Sequence, residues 1–242
     1  MSVTQARLFR LIEATWPAAS ARRLGPFTIR EGQGGGSRVS AATVEGRFDP
    51  EEIGAAEAAM RALGQVPLFM VRGGEDALDA ALAARGYKIK DPVIGYAAPV
   101  APLLAHLPPP VTSFEVWPPL ALQAETWAAG GIGPARLAVM ERVGLEKTTL
   151  FGRLEDAPAG AAFVALSEGV GMIHAIEVAP AFRRKGLGRY LIAAAARWVK
   201  NRGGSHLSLI VTRANGPANA LYSSLGMTPV GNYHYRIHPE GT

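Results

Sequence analysis

The sequence predicts an α/β (α+β) chain in two halves, each a mixed, mostly antiparallel sheet flanked by helices. Three observations carry this. Strand-like and helical patterns alternate through the first part of the chain. The later part reads as two consecutive hairpins followed by helix, strand, helix and strand. Between them, Pro99, Pro102, Pro108, Pro109 and Pro110, with Pro118 and Pro119 beyond, occupy a span that can form neither a long helix nor a central strand. Proline fixes φ and has no amide hydrogen to donate. The 242 residues accommodate two units of roughly 100 to 130 residues. We read 99–112 as a linker, with a first domain over 1–105 and a second over 106–242.

Leu8, Leu11, Ile12 and Trp16 fall at helical spacing and predict a helix near the start. Strands follow at 27–30 and 38–44, a helix at 50–63, a strand at 67–71 and an alanine-rich helix at 75–85. After the linker a helix over 120–129 leads into 130–144, broken by glycine and proline before another short helical stretch. Strands over 148–154, 161–167 and 170–178 are separated by turns at 156–160 and 168–169, so neighbouring strands are antiparallel. Leu187, Tyr190, Leu191, Ala194 and Trp198 make the stripe of an amphipathic helix, closed by Gly203 and Gly204. A strand at 206–211, a helix at 217–224 with proline near its first turn and a strand at 230–237 complete the chain. Two matching runs, Ala80 to Tyr87 and Ala220 to Met227, each end a helix in glycine before a strand, as a duplicated module would.

The chemistry concentrates in Arg183-Arg184-Lys185-Gly186-Leu187-Gly188, between a strand and a helix. A helix N-terminus presents unpaired amides and a positive dipole end, a natural anion site. Gly186 and Gly188 allow the main chain to close on phosphate oxygens, and Arg183, Arg184, Lys185 and Arg189 add charge. The spacing is neither that of a P-loop nor of a dinucleotide fingerprint. Taken alone, the run is a basic surface turn; the flanking elements change that reading.

The strand ending at Val178, Pro180, then Arg183-x-x-Gly186-x-Gly188, and later Asn215, Ala218, Leu221, Tyr222 and Gly226, together resemble the GCN5-related N-acetyltransferase (GNAT) superfamily. Met227 stands where that family usually has Phe, and the likeness covers about 148–235. The resemblance implies an enzyme, an acetyl-CoA-dependent N-acetyltransferase that passes acetyl from coenzyme A to a primary amine of a small molecule or peptide by direct attack in a ternary complex, without metal. By position it implies that Ile176 and Val178 pair with the pantetheine arm and that 184–189 hold the pyrophosphate, with Arg183 at its edge. Asn215 contacts the cofactor or caps a helix, and Tyr222 protonates the leaving thiolate or packs as a core aromatic. The family's familiar bases are missing: their positions hold Met172 and Ile210. His174 is the preferred base and Glu177 the second, yet a packed His174 is an equal reading. The missing base also leaves open a non-catalytic acyl-CoA-binding module.

With that family in view, the first half reads as a degenerate copy that binds no acetyl-CoA. It would wall the acceptor pocket together with the segment from Trp127 to Arg142, in a tandem layout. The closest counterpart of the cofactor loop, Gln33 to Arg38, leads toward a strand and reads as a flexible hairpin loop.

Composition excludes other classes. Hydrophobic residues at 48% and charged residues at 19% fit a folded protein rather than a disordered one. Without cysteine there is no disulfide framework, thiolate metal site or cysteine nucleophile. The net charge of +5 is dispersed except at 183–189, so a phosphate-bearing small molecule explains it without nucleic acid. No apolar run reaches membrane-spanning or signal length. A cytoplasmic protein, monomer or homodimer, without a membrane partner is expected.

Overall fold

The structure, a computed structural model, describes residues 2–241. Helix α1 (Gln5–Thr15) is capped by the Thr4 hydroxyl, which accepts from the Arg7 amide, and it buries Leu8, Leu11, Ile12 and Thr15 along one stripe. Strands β1 (Ser20–Leu24) and β2 (Phe27–Glu31) form a hairpin. One turn of helix, α2 (Ser37–Ser40), precedes the short β3 (Thr43–Val44). Helix α3 (Pro50–Ala62) opens on proline and a contact from the Asp49 amide to the Glu52 carboxylate; β4 (Leu68–Arg72), α4 (Asp76–Ala84) and β5 (Lys88–Pro99) follow. Helix α5 (Val100–Leu103) and a 3-10 turn connect to β6 (Ser113–Val116), α6 (Ala121–Ala129) and α7 (Pro134–Arg142). The remainder is β7 (Lys147–Leu154), β8 (Ala157–Ser167), β9 (Val170–Val178), α8 (Leu187–Asn201), β10 (His206–Thr212), α9 (Gly216–Ser224) and β11 (Thr228–Ile237).

Two open sheets result, mostly antiparallel and flanked by helices: β1-β2-β3, and an eight-stranded sheet in the order β4-β11-β5-β10-β9-β8-β7-β6. The larger sheet draws strands from both sides of the proline-rich segment. Its second and third strands are the antiparallel pair β11 and β5, and each is the last strand of its half. Strand β11 lies between β4 and β5, while β5 lies between β11 and β10. Each half therefore inserts its last strand beside strands of the other.

Helix α8 covers one face of this sheet with Leu187, Leu191, Ala194 and Trp198, all buried. Helix α1 covers the other face, where Gly95 and Gly231 make room for it: a Cβ at Gly95 would lie 2.3 Å from Leu8 Cδ2. Near the end of α1, Trp16 joins Trp127, Val139, Met140 and Phe163 in a further apolar cluster.

The 99–112 segment packs on the fold, since Val100 and Leu103 are buried against α8 and the Val100 amide donates to the Ser205 carbonyl. Two expectations change. The strand expected over 38–44 shrinks to Thr43–Val44, because a helical turn brings Val39 into the cluster under Trp16. The glycine run before it is docked, not free: a Cβ at Gly35 would lie 2.7 Å from Val139 Cγ2 on α7.

Candidate active site

Strands β9 and β10 run parallel only where Val170, Gly171 and Met172 face His206, Leu207 and Ser208. Beyond that point they separate. Strand β9 remains paired with β8 as far as Val178, and β10 with β5 as far as Thr212. Among the described residues, the edge of β9 that faces away from β8 over 173–178, including Ile176 and Val178, therefore has no strand partner. An extended ligand can add to such an edge.

The separation coincides with a bulge. Ala175 adopts φ 51°, and the register steps so that His174 faces Phe163 while Glu177 faces Ala161. Two β9 residues thus oppose Ala162, which brings His174 and Glu177 to the same face. The Trp127 indole donates to the Ala175 carbonyl at 2.8 Å and holds the bulge.

Beyond Val178 a 3-10 turn (Pro180–Phe182) leads to Arg184 at φ 64° and Gly186 at φ 89°, where α8 begins. Among the described residues, the amides of 184–189 donate to no protein acceptor. They converge at the positive end of a 15-residue helix, which suits a polyanion. A Cβ at Gly188 would lie 3.2 Å from Leu221 Cδ2, so α9 packs closely against this turn. The four cations divide in two. Arg183 donates to the Val178 carbonyl at 3.0 Å and to Glu177 at 3.1 Å, and Lys185 pairs with Glu155 at 2.8 Å. Arg184 and Arg189 are exposed and form no ion pair among the described residues.

Tyr222, on α9, is 7% exposed, 5.9 Å ring to ring from Tyr96, and burial pushes its phenol up to about 12. Its hydroxyl has no hydrogen-bond partner among the described residues. Asn215 caps α9, its side chain accepting from the Ala218 amide at 3.2 Å. Asn219, which the sequence did not single out, donates to the Thr212 and Asn215 carbonyls and accepts from the Tyr96 hydroxyl, tying β10, α9 and β5 together.

His174 is 4% exposed and its ring is tilted over Trp16 at 4.9 Å. Arg38 Nη1 donates to its Nδ1 at 2.9 Å, so Nε2 carries the hydrogen and donates to Thr15 Oγ1, also at 2.9 Å. The Thr15 hydroxyl in turn donates to the Leu11 carbonyl. Burial, and then the Arg38 charge, hold the imidazole well below its ordinary value, and neither nitrogen is free to accept a proton. Glu177 lies under Gly130 and is held by Arg183.

Past the bulge, the gap between β9 and β10 opens into a cavity of about 250 Å³. Ala175 and Ile210 to Thr212 border it, as do Ile132 and Arg136 from the α6–α7 side, Tyr233 and Tyr235 from β11, and Gly35 to Arg38 from the first half. Neither Glu177 nor His174 lines it. The carboxylate that does is Asp91, exposed on β5 at φ 45°, where the β5–β11 register is irregular. Sequence reading missed Asp91, although Asp91-Pro92 inside a strand signals a break. Trp127 is fully buried, so from its segment only Ile132 and Arg136 reach the cavity.

Known proteins resemble this chain in sequence and in fold. Residues 115–227 match the Acetyltransferase (GNAT) family. An uncharacterized N-acetyltransferase, YobR, of Bacillus subtilis (strain 168) is 28% identical over 96% of this chain and 97% of its own. A GCN5-related N-acetyltransferase from Kribbella flavida shares the fold at a TM-score of 0.71 and 18% identity, covering 97% of this chain and 95% of that one. A tandem GNAT protein from the clavulanic acid biosynthesis pathway does so at 0.65 and 14%, covering 98% and 89%.

Proposed function

We propose that this chain, whose residues 115–227 match the Acetyltransferase (GNAT) family, is an acyltransferase drawing on acyl-CoA that moves acetyl from acetyl-CoA to a primary amine. The observation that carries this reading is a succession along the chain in three parts. The amides of 184–189 that donate to no protein acceptor follow directly on the edge of β9 that β10 leaves unpaired, and Ala175 at the bulge of that edge borders the cavity. A pyrophosphate fits the first part, a pantetheine arm the second and a small amine the third.

The donor is held by the amides of 184–189, with Gly186 and Gly188 leaving room for the phosphates, Leu187 anchoring the turn in the core and Arg184 and Arg189 contributing charge. Arg183 and Lys185 shape the loop through Glu177 and Glu155. The amine nitrogen attacks the thioester carbonyl, the carbon–sulfur bond breaks, and Tyr222 donates a hydrogen bond to the departing sulfur. Its raised pKa keeps the phenol protonated at neutral pH, as that role requires. The proton lost by the amine passes to Asp91 or to solvent. In this reading Asp91 replaces His174 and Glu177 as the base: His174 positions Arg38, and Glu177 braces the cofactor loop.

One acetyl-CoA binds per chain. In the first half, β3, α3 and β4 repeat the order of β9, α8 and β10, down to a parallel bridge between Ala42 and Phe69. There the helix starts on Asp49, Glu51 and Glu52, carboxylates that repel a pyrophosphate.

Thiol release from acetyl-CoA across an amine panel tests the reading, and with no cysteine in the chain the assay has no protein background. Amine-dependent release is expected. Thermal stabilisation by acetyl-CoA without turnover on any amine would make the protein a binding module instead.

A further inference from the structure

We infer that the acceptor is an amino acid with an apolar side chain, its carboxylate held by Arg38 and Arg136; this rests on the acyl-transfer reading above. Both arginines line the cavity beyond the β9 bulge, and neither forms an ion pair among the described residues. Arg38 is fixed by its bond to His174 Nδ1 and by lying 5.2 Å from the Trp16 ring centre, yet its Nε is shut off from solvent without an acceptor. Native structures seldom leave a buried donor so, because its desolvation goes uncompensated. Arg136 packs beside Gly36, where a Cβ would lie 3.5 Å from its Nε, and among the described residues its guanidinium makes one long bond, 3.4 Å, to the Gly131 carbonyl. Arg38, half-buried, and Arg136, exposed, line the same cavity and together make a carboxylate clamp, since guanidinium donors match carboxylate oxygens in pairs.

The third charge in the cavity has the opposite sign. Asp91 faces an ammonium group well, so the lining is zwitterionic in the complementary sense. Ile132, Val93 and Ile210 supply an apolar wall between the charges. At about 250 Å³ the space lies below the range of roughly 300–1,000 Å³ that drug-sized ligands occupy, which favours a single amino acid over a long peptide. One arm of the anion clamp, Arg38, comes from the first half, beside the glycine run that docks on α7. That assigns the first half a specificity role without cofactor chemistry.

The test uses matched probes: leucine against isopentylamine, methionine against 3-(methylthio)propylamine, and phenylalanine against 2-phenylethylamine. Thiol release gives kcat/KM, and thermal shift of the protein loaded with coenzyme A gives binding. Each amino acid should exceed its decarboxylated partner by roughly 10- to 100-fold, the range expected when charge-assisted bonds are lost. Arg136→Gln should narrow that ratio about tenfold and remove most of the thermal shift given by the amino acids. Arg38→Lys should do the same with a smaller effect. Equal or better use of the decarboxylated amines, or a ratio unchanged in a folded Arg136→Gln protein, overturns the inference and leaves acetyl transfer standing. Amino acid binding that depends on Arg136, without turnover of any probe, supports the clamp and overturns the transfer reading instead.

Discussion

Replacing His174 with glutamine separates two roles that the residue could play. In the structure both ring nitrogens are engaged and burial holds the imidazole neutral, whereas in the unfolded chain it titrates near 6.5. Below that value the unfolded state takes up a proton that the folded state refuses, so stability falls as pH falls. For one proton the slope approaches about 1.4 kcal/mol per pH unit, and between pH 7 and pH 5 the loss reaches as much as about 1.9 kcal/mol. Glutamine can accept from Arg38 and donate to Thr15 without titrating. Urea unfolding of both proteins at pH 7 and pH 5 should show the wild type losing up to that much more than the variant. His206, also held below its ordinary value, is present in both and cancels. An equal pH dependence would mean that His174 titrates freely in the fold, which would return it to candidacy as the base and refute the argument from its hydrogen bonds.

Other expectations follow from the same geometry. Asp91→Asn should lower kcat/KM by roughly 100- to 10,000-fold, the usual range for a positioned base, with little change in acetyl-CoA binding by calorimetry. Tyr222→Phe should reduce kcat more than it raises the acetyl-CoA KM, and the wild-type pH–rate profile should show no fall from phenol ionisation up to about pH 10, because that group titrates near 12. Arg184→Gln and Arg189→Gln should each weaken acetyl-CoA binding about tenfold, with a shallower salt dependence. Gly95→Val should destabilise the fold by about 1–3 kcal/mol in urea unfolding, since its Cβ would meet the fully buried Leu8 that seats α1.

The donor side of the site was legible because its chemistry is local. The 183–189 loop, its glycines and the N-cap Asn215 are written in consecutive residues whose backbone needs few others can meet. The fold class was legible for the same reason, since hairpins and the stripe of α8 declare themselves by period. The acceptor side was not, because it is assembled from distant segments. Asp91 arrives on β5, inserted between β11 and β10, and Arg38 arrives on a glycine run that looked like a loose loop. No sequence spacing connects them. His174 stood between two readings for a related reason: its partners Thr15, Trp16 and Arg38 belong to the first half, and only the folded chain shows that they occupy the ring.

The most direct test of the central claim follows the acetyl group itself. With acetyl-CoA carrying a deuterated acetyl group and an amine acceptor, mass spectrometry should find the label on the acceptor nitrogen in one-to-one proportion to released thiol. Label recovered as free acetate, or left on coenzyme A while the protein binds it, would contradict the assignment of the cleft between β9 and β10 as an acetyl-transfer site.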